Sequence, residues 1–170
     1  MMTRRNLGLG AVGAAAAGLG LSRLFGSTAS EATEGKVFPV SRSDDEWRKR
    51  LTKEQFYVLR EHGTERAGTS PLNGEKRKGT FVCAACDQPL FTTDTKFESG
   101  TGWPSFFQPI EGAVGTTTDR SHFMVRTEVH CAQCGGHLGH VFDDGPPPTG
   151  KRYRMNGVAM KFVPAGPAAS

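Results

Sequence analysis

The chain has 170 residues, of which 36% are hydrophobic and 22% are charged. This length suits one compact domain or two small ones, and the composition excludes a disordered chain and a membrane protein. Three of the 21 basic residues lie in the first 23 residues, and the other 18 nearly balance the 17 acidic residues, so no nucleic-acid partner is expected. The 22 glycines and 10 prolines favour a turn-rich, mainly β fold.

The first 29 residues have the pattern of an export signal. Arg4 and Arg5 precede an Ala/Gly/Leu-rich stretch of about 15 residues, as in a secretory signal peptide. The paired arginines resemble the twin-arginine signal, which sends folded proteins across the bacterial inner membrane. Ser27 and Ala29 offer small side chains to a peptidase, so we expect cleavage after Ala29, a periplasmic protein and no stable membrane association afterwards. An uncleaved N-terminal anchor is the alternative.

The rest of the chain is expected to form one domain at residues 43–164, between a linker at 30–42 and a disordered tail at 165–170. After residue 79, short runs of strand-forming residues between Gly, Pro and Asp turns predict a β-rich body with helices before it. The predicted strands are 80–83, 88–91, 105–109, 114–118, 122–130, 137–142, 151–156 and 158–163.

Two capping boxes predict short helices at the front of this domain. Ser43 lies three residues before Glu46, and Thr52 lies three residues before Gln55, so each pair can satisfy two backbone N–H groups at a helix start. Gly63 is expected to end the second helix. The apolar residues expected to face the core are Trp47, Leu51, Phe56 and Leu59.

All four cysteines lie in two C-x-x-C pairs, Cys83 with Cys86 and Cys131 with Cys134. Zinc binds four thiolates in a tetrahedron, and two turns that each supply a pair meet that demand. We therefore expect one structural Zn²⁺ per chain, joining two distant hairpins. Two disulfides, which an oxidising compartment would allow, and a four-cysteine iron site remain alternatives. A thioredoxin-like motif is not favoured, because no βαβ pattern surrounds either pair.

Three further segments carry side chains suited to binding or proton transfer. They are residues 100–106, with Trp103 in a glycine-rich turn, residues 137–144, with two histidines and two aspartates, and residues 152–160. In the last segment, strand alternation would put one set of side chains on one face and the other set on the opposite face. The first set is Arg152, Arg154 and Asn156, and the second is Tyr153 and Met155. Taken singly, each segment has a purely structural explanation, such as a core tryptophan or a solvated strand face.

Together with the cysteine pairs, the segments SGTGWPSF (99–106), HLGHVFDDGP (137–146) and RYRMNG (152–157) closely resemble the methionine-R-sulfoxide reductase family, B type. The resemblance covers roughly residues 44–164. It implies a mainly β (α+β) fold of two antiparallel β-sheets with short N-terminal helices, and a zinc held by the two cysteine pairs. It also implies reduction of R-methionine sulfoxide in proteins or peptides by a thioredoxin-like or dithiol donor. We expect a monomer.

The resemblance assigns roles to substrate-binding residues by position. Trp103 would line the pocket for the methyl group of the substrate, together with Phe106. His137 and His140 would hydrogen-bond the sulfoxide oxygen or assist its protonation.

The resemblance also assigns roles to residues that act on the reacting groups indirectly. Arg152 would stabilise a nearby thiolate, and Asn156 would position its neighbours. Asp143 or Asp144 would orient the histidines.

The last motif departs from the family pattern at one position. The attacking thiolate of this family sits between the Arg-Tyr and Met-Asn pairs, where this chain has Arg154. A guanidinium is a poor nucleophile and does not lose its proton near neutral pH, so it cannot take that role.

The departure leaves three interpretations. In the first, the protein is a pseudoenzyme whose pocket binds oxidised methionine or a small anion. In the second, Arg154 replaced a cysteine recently. In the third, a metal-site cysteine reacts and the metal is lost. A recycling cysteine is missing as well, since Thr101 stands at one of its usual positions. We therefore expect reductase turnover to be absent or very low. A purely structural zinc protein, or an electron carrier with iron held by the four cysteines, is the remaining alternative.

Overall fold

The computed structural model describes residues 37–166. The predicted export signal, residues 30–36 of the predicted linker and residues 167–170 of the predicted tail lie outside this range. Two helices come first, α1 (Asp44–Arg50) and α2 (Lys53–Glu61). Among residues 37–166, no helix has the length and hydropathy needed to cross a membrane.

Both predicted capping boxes are present. The Ser43 hydroxyl accepts from the backbone N–H of Glu46, whose carboxylate accepts from the Ser43 N–H at 2.9 Å. Thr52 and Gln55 repeat the arrangement at the start of α2. The two helices and the residue after α1 bury the predicted apolar side chains, Trp47, Leu51, Phe56 and Leu59.

The end of α2 differs from the prediction. His62, not Gly63, adopts the left-handed conformation that closes the helix, with φ of 56°. The N–H of Gly63 then donates to the carbonyl of Tyr57 at 2.9 Å. This backbone turn brings the His62 ring towards the larger sheet.

Within residues 37–166, nine strands form two antiparallel sheets, which confirms the fold class implied by the resemblance. The smaller sheet has the order β2-β1-β9, and the larger has the order β3-β4-β8-β7-β6-β5. The strands are β1 (Gly79–Cys83), β2 (Pro89–Thr92), β3 (Lys96–Phe97), β4 (Ser105–Phe106), β5 (Val114–Asp119), β6 (Arg126–Cys131), β7 (His137–Phe142), β8 (Arg152–Met155) and β9 (Met160–Pro164).

The strand predicted at 122–130 begins only at Arg126. Residues Ser121–Phe123 form a short 3-10 turn in which His122 and Phe123 have positive φ values of 54° and 57°. That conformation is incompatible with a strand. Strand β3, which is only two residues long, was not predicted because so short a run shows no alternation.

Aromatic side chains fill the space between the two sheets. Phe106 of β4 stacks on Phe91 of β2 with ring centroids 4.3 Å apart, and meets Phe81 of β1 edge-on at 4.9 Å. All three are fully buried. Phe106 therefore packs in the core, which corrects the expectation that it lines a substrate pocket.

Candidate active site and metal site

The four cysteines converge to join the two sheets. Cys83 ends β1 and Cys131 ends β6, and the second cysteine of each pair lies in the turn that follows. The Sγ atoms of Cys83 and Cys134 are 3.7 Å apart, and those of Cys86 and Cys131 are 3.6 Å apart. The Zn–S bond of about 2.3 Å places the sulfurs of a tetrahedral site about 3.8 Å apart. The four thiols thus fit a zinc ion, and since all four are free, neither disulfide of the alternative is formed.

Both cysteine turns have the same backbone geometry. The carbonyls of Cys83 and Cys131 accept from the N–H groups of Asp87 and Gly135, each at 2.9 Å. Asp87 and Gly135 are both left-handed, with φ of 61° and 67°. Glycine adopts this conformation without steric cost, and aspartate tolerates it better than most residues. In each turn, the backbone therefore directs both thiols towards the same point.

One face of the larger sheet carries the candidate active site. Strand register places Glu128, His140, Arg154 and Ser105 opposite one another on β6, β7, β8 and β4. A Cβ at Gly139, beside His140, would collide with the carbonyl oxygen of Arg154. The glycine therefore allows β7 and β8 to approach closely at the site.

This register confirms the predicted alternation for Arg152–Met155, but not for Asn156. Arg152 and Arg154 share the site face, while Tyr153 and Met155 pack against or within the core. Asn156 lies just past the strand end and is almost completely buried.

A glycine-rich loop brings Trp103 to the same face. Gly102 has φ of 90°, and a Cβ there would lie 2.9 Å from the backbone nitrogen of Gly68. The indole Nε1 of Trp103 donates to the carbonyl of Glu65 at 3.1 Å. The guanidinium carbon of Arg154 lies 4.6 Å from the centroid of the Trp103 ring, a cation–π distance. The aromatic face expected to receive a methyl group is therefore covered by a cation.

His140 lies between Asp119 and Arg154. Its Nε2 is 2.8 Å from Oδ2 of Asp119, and its Nδ1 is 3.5 Å from Nη2 of Arg154. Burial lowers the pKa of His140 to about 4, although the hydrogen bond with Asp119 acts in the opposite direction. The ring is thus neutral at pH 7. It donates its Nε2–H to Asp119 and presents the Nδ1 lone pair to Arg154.

Glu128 holds two histidines. Its Oε1 accepts from Nδ1 of His137 at 2.7 Å and from Nδ1 of His62 at 2.9 Å. Burial raises the pKa of Glu128, but the two hydrogen bonds outweigh it and lower the pKa to about 2. The bond to Glu128 also raises the pKa of His62. These separations are shorter than the roughly 3.4 Å between nitrogen and oxygen ligands of tetrahedral zinc, so the trio is hydrogen-bonded rather than spaced for a metal.

The carboxylates that contact the histidines are not the predicted ones. Asp143 pairs with Lys151, and Asp144 accepts two bonds of 2.9 Å from Arg152, whose guanidinium also lies over the ring of Phe142. Both aspartates are exposed and contact neither histidine, so the expectation that one of them orients the histidines is corrected.

Glu128 and Asp119 take the place of these aspartates. Sequence reasoning missed both, because they reach the histidines through pairing of β5, β6 and β7. The sequence offered one indication of Glu128. It lies in a strand expected to have one buried face, and a buried carboxylate needs a partner.

Asn156 links β7 to the segment that follows α2. Its Nδ2 donates to the carbonyl of Leu138 at 3.0 Å, and its Oδ1 accepts from the N–H of Glu65 at 3.1 Å. The Glu65 carboxylate accepts from the N–H groups of Gly157 at 2.6 Å and Val158 at 3.0 Å. Glu65 thus holds both Trp103 and the turn after β8 in place. No sequence motif indicated this residue.

Comparisons with known proteins agree with this geometry. Residues 51–164 match the family model of the SelR domain. The peptide methionine sulfoxide reductase MsrB of Agrobacterium fabrum is 60% identical over 126 residues, which cover 74% of this chain and 93% of the relative. The MsrB of Leptospira interrogans is 56% identical over 126 residues, covering 74% and 96%. The chloroplastic peptide methionine sulfoxide reductase B1 of Oryza sativa is also 56% identical over 126 residues, covering 74% and 59%. The chain therefore belongs to the MsrB family of peptide methionine sulfoxide reductases, which carries the SelR domain.

Proposed function

We propose that this protein retains the site of a peptide-methionine (R)-S-oxide reductase in which Arg154 stands where the attacking thiol would be, so that turnover is absent or very low. The observation that carries this proposal is the position of Arg154. Its guanidinium lies 4.6 Å from the Trp103 ring centroid and 3.5 Å from Nδ1 of His140. These are the groups expected to flank the sulfur of the substrate.

The chemistry of the family reaction explains why this position matters. A thiolate attacks the sulfoxide sulfur, and with one proton the products are methionine and a cysteine sulfenic acid. A thioredoxin-like protein or a dithiol then reduces the sulfenic acid to the thiol and water. All four cysteines of this chain lie in the metal site, so none is left to attack.

The remaining residues of the site are arranged for the other parts of that reaction. His140 and His137, with ring centroids 5.4 Å apart, are held by Asp119 and Glu128, and His137 would bind and protonate the sulfoxide oxygen through Nε2 when that atom carries a proton. Asn156 fixes the end of β7 through Leu138. When bound, zinc would join the two sheets through the four cysteines, outside the reaction itself.

Restoring the thiol tests the proposal. The mature chain and its Arg154→Cys variant are assayed with a peptide carrying R-methionine sulfoxide and dithiothreitol, and reduced peptide is counted by chromatography. We expect an inactive parent and an active variant that leaves the S epimer unchanged. Arg154→Ser controls for side-chain size, and Arg152→Cys places a thiol two residues away on the same strand face.

Two outcomes contradict the proposal. A folded, metal-loaded Arg154→Cys protein without activity would mean that more than the nucleophile is missing. An active parent would mean that another group attacks the sulfoxide, and release of metal during turnover would then identify a metal-site cysteine.

We also propose, from the sequence of its first 29 residues, that the protein is exported folded to the periplasm. Changing Arg4 and Arg5 together to lysine should leave the folded protein in the cytoplasm. The exported protein should begin at Ser30 by N-terminal sequencing. Unchanged export of the double variant would contradict the twin-arginine route.

A further inference from the structure

The guanidinium of Arg154 has no counter-ion within the described part of the chain. No carboxylate oxygen of residues 37–166 lies within 4.0 Å of it. Within this range its Nε is buried without a hydrogen-bond partner, and Nη2 has only the 3.5 Å contact with His140. A half-buried charge in this situation is costly, because it has lost water without gaining an anion.

The nearby charged groups already have partners. Arg126 donates to Asp119 at 2.7 Å, and Arg152 binds Asp144 through two bonds of 2.9 Å. The carboxylate of Glu65 accepts from two backbone N–H groups. Glu65 acts on the pKa of Arg154 only through space, and none of these carboxylates forms an ion pair with its guanidinium.

A second polar atom on this face is also without a partner. His137 gives its Nδ1–H to Glu128, and its Nε2 is buried with no hydrogen-bond partner among the residues that the structure describes. The ring of His137 meets that of His140 edge-on, so both histidines and Arg154 border one region of the sheet face. Half-buried Trp103 supplies an apolar wall beside them.

We propose that this region binds a small organic oxyanion, a carboxylate or sulfonate, paired with the Arg154 guanidinium. The fork of nitrogens on a guanidinium matches two oxygens of such an anion in a bidentate pair. A neutral sulfoxide offers one oxygen and no charge, so it would leave the guanidinium uncompensated. The inference shares with the proposed function only the placing of Arg154 in the site, and it requires no turnover.

Titration of the zinc-loaded mature protein tests this inference. The probes are acetate and methanesulfonate at constant ionic strength, with sodium sulfate as an inorganic oxyanion and dimethyl sulfone as a neutral analogue. Binding is followed by calorimetry and tryptophan fluorescence. Trp103 lies beneath Arg154, whereas Trp47, the other tryptophan, is fully buried against the helices. Displacement of the guanidinium should therefore change the Trp103 signal.

We expect saturable binding of both organic anions. Arg154→Gln should weaken it by at least about tenfold, since a charge-assisted pair is lost. Arg152→Gln removes a neighbouring charge already paired with Asp144, and should change the affinity by less than about threefold. Zinc content and thermal melting establish that both variants are folded.

Three results would overturn the inference. They are no saturable binding in the millimolar range, equal losses in the two variants, or binding of sulfate or dimethyl sulfone as tight as that of methanesulfonate. Reductase activity of Arg154→Cys in any of these cases would leave the proposed function standing. The two proposals therefore fail separately.

Discussion

Glu128 and His137 share a 2.7 Å hydrogen bond in the protein interior, between Oε1 and Nδ1. The same oxygen also accepts from His62, which the left-handed end of α2 brings to the sheet. One ionised carboxylate thus sets the orientation of an imidazole that the family pattern places against the sulfoxide.

The first prediction concerns this carboxylate as a positioning group. In the Arg154→Cys protein, Glu128→Gln should lower activity by about tenfold or more and shift its pH profile, because the negative charge that accepts from both imidazoles is lost. Rates are measured from pH 5 to 9. Glu98→Gln, which changes an exposed glutamate paired only with Lys96, is the control. An unchanged pH profile in the Glu128 variant would contradict the role.

The second prediction concerns stability and pH. The unfolded chain protonates His140 near pH 6.5, whereas its pKa in the folded protein is about 4. Between these values the unfolded state binds more protons, so the free energy of unfolding should fall by the order of 2 kcal/mol as the pH drops from 6.5 to 4. The raised pKa of His62 acts in the opposite direction, since its contribution is present below pH 6.5 and is lost as the pH rises through the folded value.

Urea unfolding at a series of pH values measures this effect. His140→Gln keeps a donor near Asp119 but does not titrate, and should reduce the fall in stability between pH 6.5 and 4 to the smaller part caused by carboxylates such as Glu128. His122→Gln, at an exposed residue, should keep it. The same slope in both variants would show that His140 is not its source.

The third prediction concerns the metal. The purified protein should contain one zinc per chain without visible colour, and Cys131→Ser should remove the zinc and lower the free energy of unfolding by more than about 3 kcal/mol. Elemental analysis and melting curves measure both effects. His62→Ala, which disturbs the hydrogen-bonded trio, should leave the zinc content at one. A visible absorption band would indicate iron, and loss of zinc from the His62 variant would contradict the assignment.

The fourth prediction separates the core from the pocket with one matched substitution. Phe106→Leu should lower the free energy of unfolding by about 1–3 kcal/mol, because it leaves space beside Phe91. It should not change KM in the Arg154→Cys protein. Trp103→Leu should raise KM with a smaller loss of stability, since Trp103 is only half buried. A raised KM for Phe106→Leu without lost stability would restore its predicted role in the pocket.

Features set by neighbouring residues were predictable from the sequence. Ser43 and Thr52 cap their helices through bonds that span three positions. The C-x-x-C turns likewise depend on backbone bonds across four positions, and strand alternation placed Arg152 and Arg154 together. In each case the contact follows from local geometry, so the sequence pattern is sufficient.

Features set by strand pairing and loop docking were not predictable in this way. Glu128 and Asp119 meet the histidines across strands, at separations of 9 and 21 positions. Glu65 reaches its partners 91 to 93 positions later in the chain. Asp143 and Asp144 were preferred because they lie close to the histidines in sequence, yet their side chains turn towards Lys151 and Arg152.

Glu65 connects segments of the chain that are far apart in sequence. Its carboxylate holds the amides of Gly157 and Val158, and its backbone bonds to Trp103 and Asn156. Neither amide proton can exchange with solvent until the same carboxylate departs. Both should therefore exchange through one opening event with one free energy, so that this wall of the site behaves as a single cooperative unit.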